Sequence, residues 1–322
     1  MNDNKICKTP FIKWTGSKRT QAKQIVDYFP KKFDVYYESF LGGGSVLHEL
    51  LNRIYTGEIS CSEIICTDIN KDLIMLFDML RHRGLREVLY DFYCERYAEM
   101  KKYSGYEEGR ITPEQVAKMQ EYYNQQRDKY NSWIAGNDFP LERAMTFFWL
   151  TRTSYNGLVR YNSKGLFNAP FHVNGRMGIS PDKLRKVIDG WALVLDSFED
   201  KGGEIFFLSD DYANPLKYVD AQRSTVVYMD PPYENSKGMY ELPENFSKER
   251  LLETIAVLNK KMAKVLLSYN GKDGDIDGTS QMEKWYVTHK YIYSGSSSYR
   301  RIRLDDMTDK WNIVQDSLYM NF

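Results

Sequence analysis

The chain has 322 residues and a mass of 37.9 kDa, room for about two domains at roughly 150 residues each. Its 44 Lys and Arg balance 44 Asp and Glu, and aromatics reach 15% with 25 Tyr, which excludes a disordered chain and a uniformly basic nucleic-acid coat. No apolar run approaches the roughly 18 residues of a membrane span, and residues 1–10 lack the apolar core of a signal peptide.

In chain order, residues 17–29 read as a helix stopped by Pro30. Residues 34–38 read as a strand, followed by Gly42-Gly43-Gly44 and a helix over 45–55. A short apolar strand over 63–67 ends at Asp68, and Asn70 then caps a helix with Leu73, Ile74, Phe77 and Leu80 on one face. This β-loop-α-β-α order opens a doubly wound α/β sheet. Residues 84–152 read as mostly helical, with a capping box at Thr112-Pro113-Glu114-Gln115 and a helix opened by Pro140. Residues 155–171, rich in Asn, Gly, Tyr and Pro, predict a hairpin, and Ser180-Pro181 starts a further helix. Strands return at 204–208, 225–229 and 264–269, with a helix over 247–262 between the last two. The expected plan is a discontinuous α/β domain, residues 1–82 and 196–322, with an inserted, mainly helical domain over 83–195 that contains a β-hairpin.

Charge is unevenly spread. Residues 11–32 carry six Lys/Arg and one acid, residues 151–190 seven and two, and residues 286–303 four and none, whereas residues 192–245 carry eleven acids and four bases. Such blocks serve either as solvated faces or as the walls of a cleft for a polyanion. The cysteines Cys7, Cys61, Cys66 and Cys94 form no CxxC pair, and His48, His82, His172 and His289 are scattered. Neither a structural zinc site nor a disulfide framework is expected, and the thiols read as reduced and cytosolic.

The sharpest chemical signal is Asp230-Pro231-Pro232-Tyr233 after a strand, at the carboxyl end where open α/β sheets bind ligands. Two prolines stiffen the chain and leave its carbonyls as acceptors. A carboxylate and a rigid carbonyl together accept both hydrogens of an exocyclic amine, and Tyr233 offers a flat face to a base. Holding both hydrogens localises the nitrogen lone pair for attack. A turn that merely contains Asp-Pro-Pro is the alternative. The three glycines after Glu38-Ser39-Phe40-Leu41, between a strand and a helix, let a cofactor approach the backbone closely, and Asp68 is placed to bind ribose hydroxyls. A GxxxxGK[ST] loop is absent, which argues against a P-loop ATPase. Lys13-Trp14-Thr15-Gly16-Ser17-Lys18 puts an aromatic and two cations before a helix. Tyr155-Asn156-Gly157-Leu158-Val159-Arg160-Tyr161-Asn162, with Gly165, Phe167-Asn168 and Pro170-Phe171, suits groove readout, since Arg bonds guanine bidentately and Asn bonds adenine. The alternative there is a glycine-turned surface hairpin.

Taken in order, these motifs resemble the Dam-like family of DNA adenine-N6 methyltransferases with the α arrangement of motifs: Lys-Trp-x-Gly-x-Lys, Glu-x-Phe-x-Gly-x-Gly, Asp-Ile-Asn, an insertion with Asn-Gly-Leu-x-Arg-Tyr-Asn, then Asp-Pro-Pro-Tyr, all within residues 11–233. Leu266-Leu267-Ser268-Tyr269-Asn270 looks like the family's post-catalytic strand. The resemblance implies a Rossmann-like methyltransferase domain using S-adenosylmethionine, with S-adenosylhomocysteine as product and no metal. It implies that Glu38, Phe40 and the Gly42–Gly44 loop hold the methionine end, with Trp14 and Lys18 nearby. Asp68 would bind the ribose and Ile69 flank the adenine, while Asp211-Tyr212, with Asp210 as rival, would contact the cofactor's adenine. Asp230 would border the cofactor and, with Pro231, orient the target amine of a flipped-out adenine; Pro232 would stiffen the motif and Tyr233 stack on the base. Tyr155 and Asn156 would wedge into the duplex at the Gly157 turn. Lys13, Leu158, Arg160, Asn162 and Pro170 would contact DNA, with Arg300, Arg301 and Arg303 clamping phosphates. The implied site is a short palindrome such as GATC. The chain departs from the family pattern at His172-Val173, where many relatives carry Gly-Arg, and at Ser39, where they carry Pro.

The expected partner is double-stranded DNA, with no membrane, a monomeric state, and a cognate restriction endonuclease as the partner of a restriction-linked enzyme. The expected location is cytoplasmic and nucleoid-associated, in a prokaryote or encoded by a phage. The competing readings are a DNA cytosine-N4 or RNA adenine methyltransferase, a non-catalytic DNA-binding relative and a nuclease. The intact Asp230 motif and glycine loop argue against the second, and the lack of a paired-acid-plus-Lys motif against the third.

Overall fold

A computed structural model describes residues 10–104, 111–172, 177–232, 246–273, 276–277, 285–293 and 315–322. The chain divides into two compact units: Met1–Ser17 with Asn70–Ser197, and Lys18–Ile69 with Phe198–Phe322. The first is helical; the second carries the sheet.

The sheet unit is built on β1 (Val35–Glu38), β2 (Glu63–Asp68), β3 (Glu204–Ser209), β4 (Thr225–Met229), β5 (Lys264–Asp273), β6 (Ile276–Asp277), β7 (Thr288–Tyr293) and β8 (Gln315–Met320). Their order is β3-β2-β1-β4-β5-β8-β7, with β6 off this path and paired to β5. The five strands from β3 to β5 run parallel, while β8 runs antiparallel to both β5 and β7. The fold is the mixed, doubly wound α/β class. The antiparallel pair β7 and β8 carries no motif and did not emerge from the sequence pattern.

The central strands are buried on both faces, so they read as continuous apolar runs: Val226, Val227, Tyr228 and Met229 all lie in the core. One face packs against α8 (Lys248–Lys260), whose Leu251, Ile255 and Leu258 recur at helical spacing over Val227, Val265 and Leu267. Helix α2 (Ser45–Tyr55) follows β1 and buries Val46, Leu47, Leu50 and Leu51. The helix expected over 17–29 shrinks to α1 (Ala22–Val26). Residues before it form turns, with Gln21 and Ala22 both donating to the Lys18 carbonyl, and the side chains of Lys18 and Gln21 turn toward carboxylates.

The helical unit holds α3 (Lys71–Arg81), α4 (Arg83–Ser104), α5 (Pro113–Ala135), α6 (Leu141–Thr153) and most of α7 (Pro181–Asp200). Asn70 caps α3 by accepting from the Leu73 N–H, and the Thr112–Gln115 capping box opens α5. Helix α6 is buried from Ala144 to Thr153, as an element surrounded by others must be. Inside this unit Asp72, 2% exposed, accepts from Tyr130 at 2.7 Å and from Arg143 at 3.1 Å. Burial raises the Asp72 carboxyl above its usual range, and the tyrosine and arginine only partly offset that. The segment expected as a β-hairpin closes through two isolated antiparallel bridges, Ser154 to Phe171 and Tyr161 to Phe167, rather than a ladder. Left-handed Asn156 and Gly157 divert one limb out of strand geometry.

Among the described residues no helix is long and apolar enough to cross a membrane, and no group of three or more His, Cys, Asp or Glu is arranged to hold a metal ion.

Buried Arg86 is held bidentately by Asp196 at 2.8 and 2.5 Å. Asp196→Ala leaves that guanidinium without its carboxylate and is expected to cost about 3 kcal/mol. Urea unfolding should show this as a lower midpoint at unchanged slope; a midpoint within error of wild type would contradict it.

Candidate functional site

The carboxyl ends of the parallel strands converge in the sheet unit. Strand β1 ends at Glu38, 2% exposed, and β4 ends just before Asp230. Glu38 lies opposite Tyr228 in the parallel register, so Asp230, two residues on, extends the same face. Desolvation pushes the Glu38 carboxyl up to about 8, with the nearby Asp230 charge adding to the rise. The Tyr36 hydroxyl donates to it at 2.8 Å, and the Leu47 N–H in the first turn of α2 also donates; both pull the other way.

Between Glu38 and α2 the chain turns through left-handed Gly42 and Gly44. Their conformation favours glycine, which explains two of the three glycines in the motif. The loop is fixed at both flanks: Ser39 N–H donates to the Tyr228 carbonyl, Leu41 N–H to the Thr67 carbonyl, and Gly42 N–H to Asp68 Oδ2 at 3.0 Å. Asp68 thus joins the glycine loop to the end of β2, and the next residue, Ile69, is 61% exposed. An exposed apolar side chain, a carboxylate acceptor and a loop without side chains are chemically compatible with a nucleoside-bearing ligand.

Lys18, 8% exposed, places its Nζ 2.7 Å from Asp230 Oδ1 and 4.0 Å from Asp316 Oδ2. Gln21 donates to that same Asp316 oxygen at 2.7 Å. Asp316 and Gln21 were missed in the sequence because neither sits in a motif; only the antiparallel return of β8 beside β5 brings Asp316 to this end of the sheet. After β3, Asp210 Oδ1 accepts from the Asp211 N–H and from Asn214. Burial alone would raise the Asp211 carboxyl, but Arg250 at 2.8 and 2.6 Å and the Ala213 N–H outweigh it and hold it below its ordinary value. Tyr212 is buried and stacks on Phe40 with centroids 4.9 Å apart. Pro231 is buried and Pro232 half-buried. Tyr233, Arg300, Arg301 and Arg303 lie outside the described residues.

Lys13 and Trp14 belong to the helical unit, as do the residues of the Asn-Gly-Leu motif. There Arg152 is buried at the end of α6 and donates to the carbonyls of Pro10 and Phe11, while Phe11 stacks on Phe148. Desolvation lowers this guanidinium to about 10. These contacts pin the segment that carries Lys13, whose stem lies across Gly157. A Cβ on Gly157 would sit 2.6 Å from Lys13 Cδ, and Gly157 has φ of 72°, so glycine is required there for conformation and for space. Tyr155 N–H donates to the Pro170 carbonyl, and its ring lies 5.5 Å from that of His172. Asn156, Arg160 and Pro170 are exposed, with Leu158 half-buried. Asn162 spends its Oδ1 on the Lys164 and Leu166 N–H groups, closing the loop between the two limbs.

The sequence profile described as D12 class N6 adenine-specific DNA methyltransferase matches residues 14–300. The chain is 30% identical over 229 residues to a DNA adenine methylase of Haemophilus influenzae, covering 71% of this chain and 65% of that one; it thus spans just under two thirds of that relative's length. It is 28% identical over 275 residues to the type II methyltransferase M1.LlaDCHI of Lactococcus lactis, covering 83% of each. It is 31% identical over 277 residues to the type II methyltransferase M.MjaIII of Methanocaldococcus jannaschii, covering 80% and 83%.

The raised Glu38 carboxyl has a consequence for stability. The folded chain binds this proton more tightly than the unfolded chain, so the contribution is complete below about 4.5 and is lost as pH rises through about 8. The melting temperature of the ligand-free protein should fall across that window, and Glu38→Gln should flatten the fall. Identical slopes for the two proteins would show that Glu38 titrates normally.

Proposed function

The chain belongs to the D12 class of N6 adenine-specific DNA methyltransferases, and on that premise we propose that it transfers a methyl group from S-adenosylmethionine to N6 of adenine in duplex DNA. The observation that carries this reading is Asp230, at the carboxyl end of β4, ion-paired to Lys18 and followed by two prolines. With the Pro231 carbonyl it would form the acceptor pair that an exocyclic amine requires.

S-adenosylmethionine supplies a methyl group on a sulfonium sulfur, an electrophile that needs no further activation. Glu38, the Gly42–Gly44 loop, Asp68 and Ile69 would hold it. Asp230 and the Pro231 carbonyl accept the two N6 hydrogens and localise the nitrogen lone pair. With the cofactor bound, its methyl would pass to the N6 lone pair with loss of the carbon–sulfur bond, S-adenosylhomocysteine would remain, and the surplus N6 proton would leave to Asp230 or to water. Lys18 holds Asp230 in place beforehand and, when the amine arrives, can transfer its contact to Asp316, already 4.0 Å away. The gain is mainly positional, of the order of several kcal/mol.

The target base has to leave the stack for its amine to reach such a site, at about a few kcal/mol. Tyr155 and Asn156, at the tip of the turn, would fill the gap, and Leu158, Arg160, Pro170 and Lys13 would read bases. GATC is the leading site, the chain acts as a monomer, and the type II names of two relatives favour a role beside a restriction endonuclease.

Unmethylated duplex DNA incubated with methyl-labelled S-adenosylmethionine should yield labelled N6-methyladenine on nucleoside analysis, and sequencing the modified positions tests GATC. Label in N4-methylcytosine would overturn the target base. Asp230→Ala should lower the single-turnover rate by about a thousandfold or more while cofactor and DNA binding persist; wild-type turnover would remove the mechanism. Gly157→Ala should displace Lys13 and weaken DNA binding without lowering cofactor affinity, as read by titration with each ligand.

A further inference from the structure

Arg160 is exposed, yet its guanidinium is oriented. Nε donates to Asn168 Oδ1 at 2.8 Å and Nη2 to the Asn168 carbonyl at 3.0 Å. Both bonds use one flank of the planar group, so the end that carries Nη1 and the second Nη2 hydrogen points away from Asn168. That end presents two parallel N–H donors, the pattern that matches O6 and N7 of guanine in the major groove.

The backbone around Asn168 is itself held. Its N–H donates to the Arg160 carbonyl at 2.9 Å. Asn131 on α5 brackets the preceding residue, accepting from the Phe167 N–H at 2.8 Å and donating to the Phe167 carbonyl at 3.0 Å. Tyr123 on α5 donates to the carbonyl of the following residue, Ala169, at 2.9 Å. On the other limb Tyr161 bridges to Phe167 and lies 3.3 Å from the Tyr130 hydroxyl. The guanidinium therefore rests on a bracket fastened to a helix, not on a mobile loop.

We propose that Asn168 is a positioning residue for sequence recognition. Its side-chain oxygen and main-chain carbonyl together fix the plane of Arg160 before DNA binds, so that the Nη1–Nη2 end meets a guanine edge, and discrimination at that base pair depends on the Asn168 side chain as well as on Arg160. A phosphate accepts from a cation over a wide range of directions, whereas a base edge accepts bidentately only in its own plane. Pre-ordering the group also removes a cost of binding that a loose arginine would bear. The proposal rests on the reading of the chain as a DNA methyltransferase.

The test is a set of affinities. A preferred duplex is selected by binding from a random library, and fluorescence anisotropy compares it with duplexes carrying each single base-pair replacement. Asn168→Ala should lose roughly tenfold of the discrimination at one G·C pair, the same pair as Arg160→Ala, and the double variant should lose no more than Arg160→Ala alone. Asn168→Asp keeps the acceptor and adds a negative charge, so it should weaken every duplex while preserving the ratio. An Asn168→Ala protein with the wild-type ratio, or one that weakens all duplexes alike, overturns the proposal. Absence of labelled methyl in DNA with Asn168-dependent discrimination intact defeats only the enzymatic reading; a wild-type chain without preference among duplexes overturns both.

Discussion

The parallel pairing of β1 with β4 sets Glu38 opposite Tyr228, and the whole carboxyl end of the sheet unit follows from that register. Tyr228 is tied onward to Ser268 on β5 through a 2.9 Å hydroxyl contact, so the three strands are locked side by side. Asp230 then emerges on the Glu38 face, where Lys18 meets it. A slip of one residue would turn Asp230 to the opposite face of the sheet, toward the packing of Met229 and α8. Buried apolar side chains on both faces of β4 leave no room for such a slip.

The same end of the sheet treats its acids differently, and the difference comes from what surrounds each. Glu38 is desolvated and pushed up to about 8. Asp211 is drawn down by Arg250. Asp230 has Lys18 at 2.7 Å, with Asp316 as that lysine's second contact. Carboxylates in unlike environments can take unlike tasks: Glu38 accepts from the Leu47 N–H in the first turn of α2, Asp211 anchors the loop after β3 through Arg250 and the Ala213 N–H, and Asp230 pairs with Lys18.

In the helical unit the equivalent constraint is steric. Gly157 permits the Lys13 stem to cross the turn, and Arg152 secures the segment that carries Lys13 by bonding two carbonyls from a buried position. Tyr123 and Asn131 fasten the opposite limb to α5. An exposed turn is thus built on buried, hydrogen-bonded supports, which is how a short irregular segment acquires a defined shape without a strand ladder.

Local chemistry made much of this legible in the amino-acid order alone. Apolar runs flanked by turn residues located β1 to β5, the Thr112–Gln115 box and Asn70 located helix starts, and left-handed glycine explained the loop after Glu38. These features depend on neighbours within a few residues. The antiparallel pair β7 and β8 was not legible, because its strands alternate weakly and acquire meaning only through pairing. The expected hairpin became two bridges because Asn156 and Gly157 take left-handed geometry, and Gly157 lies under the stem of Lys13, a residue 144 positions earlier in the numbering. The residues that support the motifs were equally hidden: Asp316 behind Lys18, Arg250 behind Asp211, and Asn131 behind Phe167. The amino-acid order by itself determined which groups can do chemistry and which segments can form strands and helices, since those depend on side-chain type and short-range periodicity. Only the tertiary structure decided how those groups are charged, oriented and held, because desolvation and hydrogen bonding act through space between residues that the chain keeps far apart.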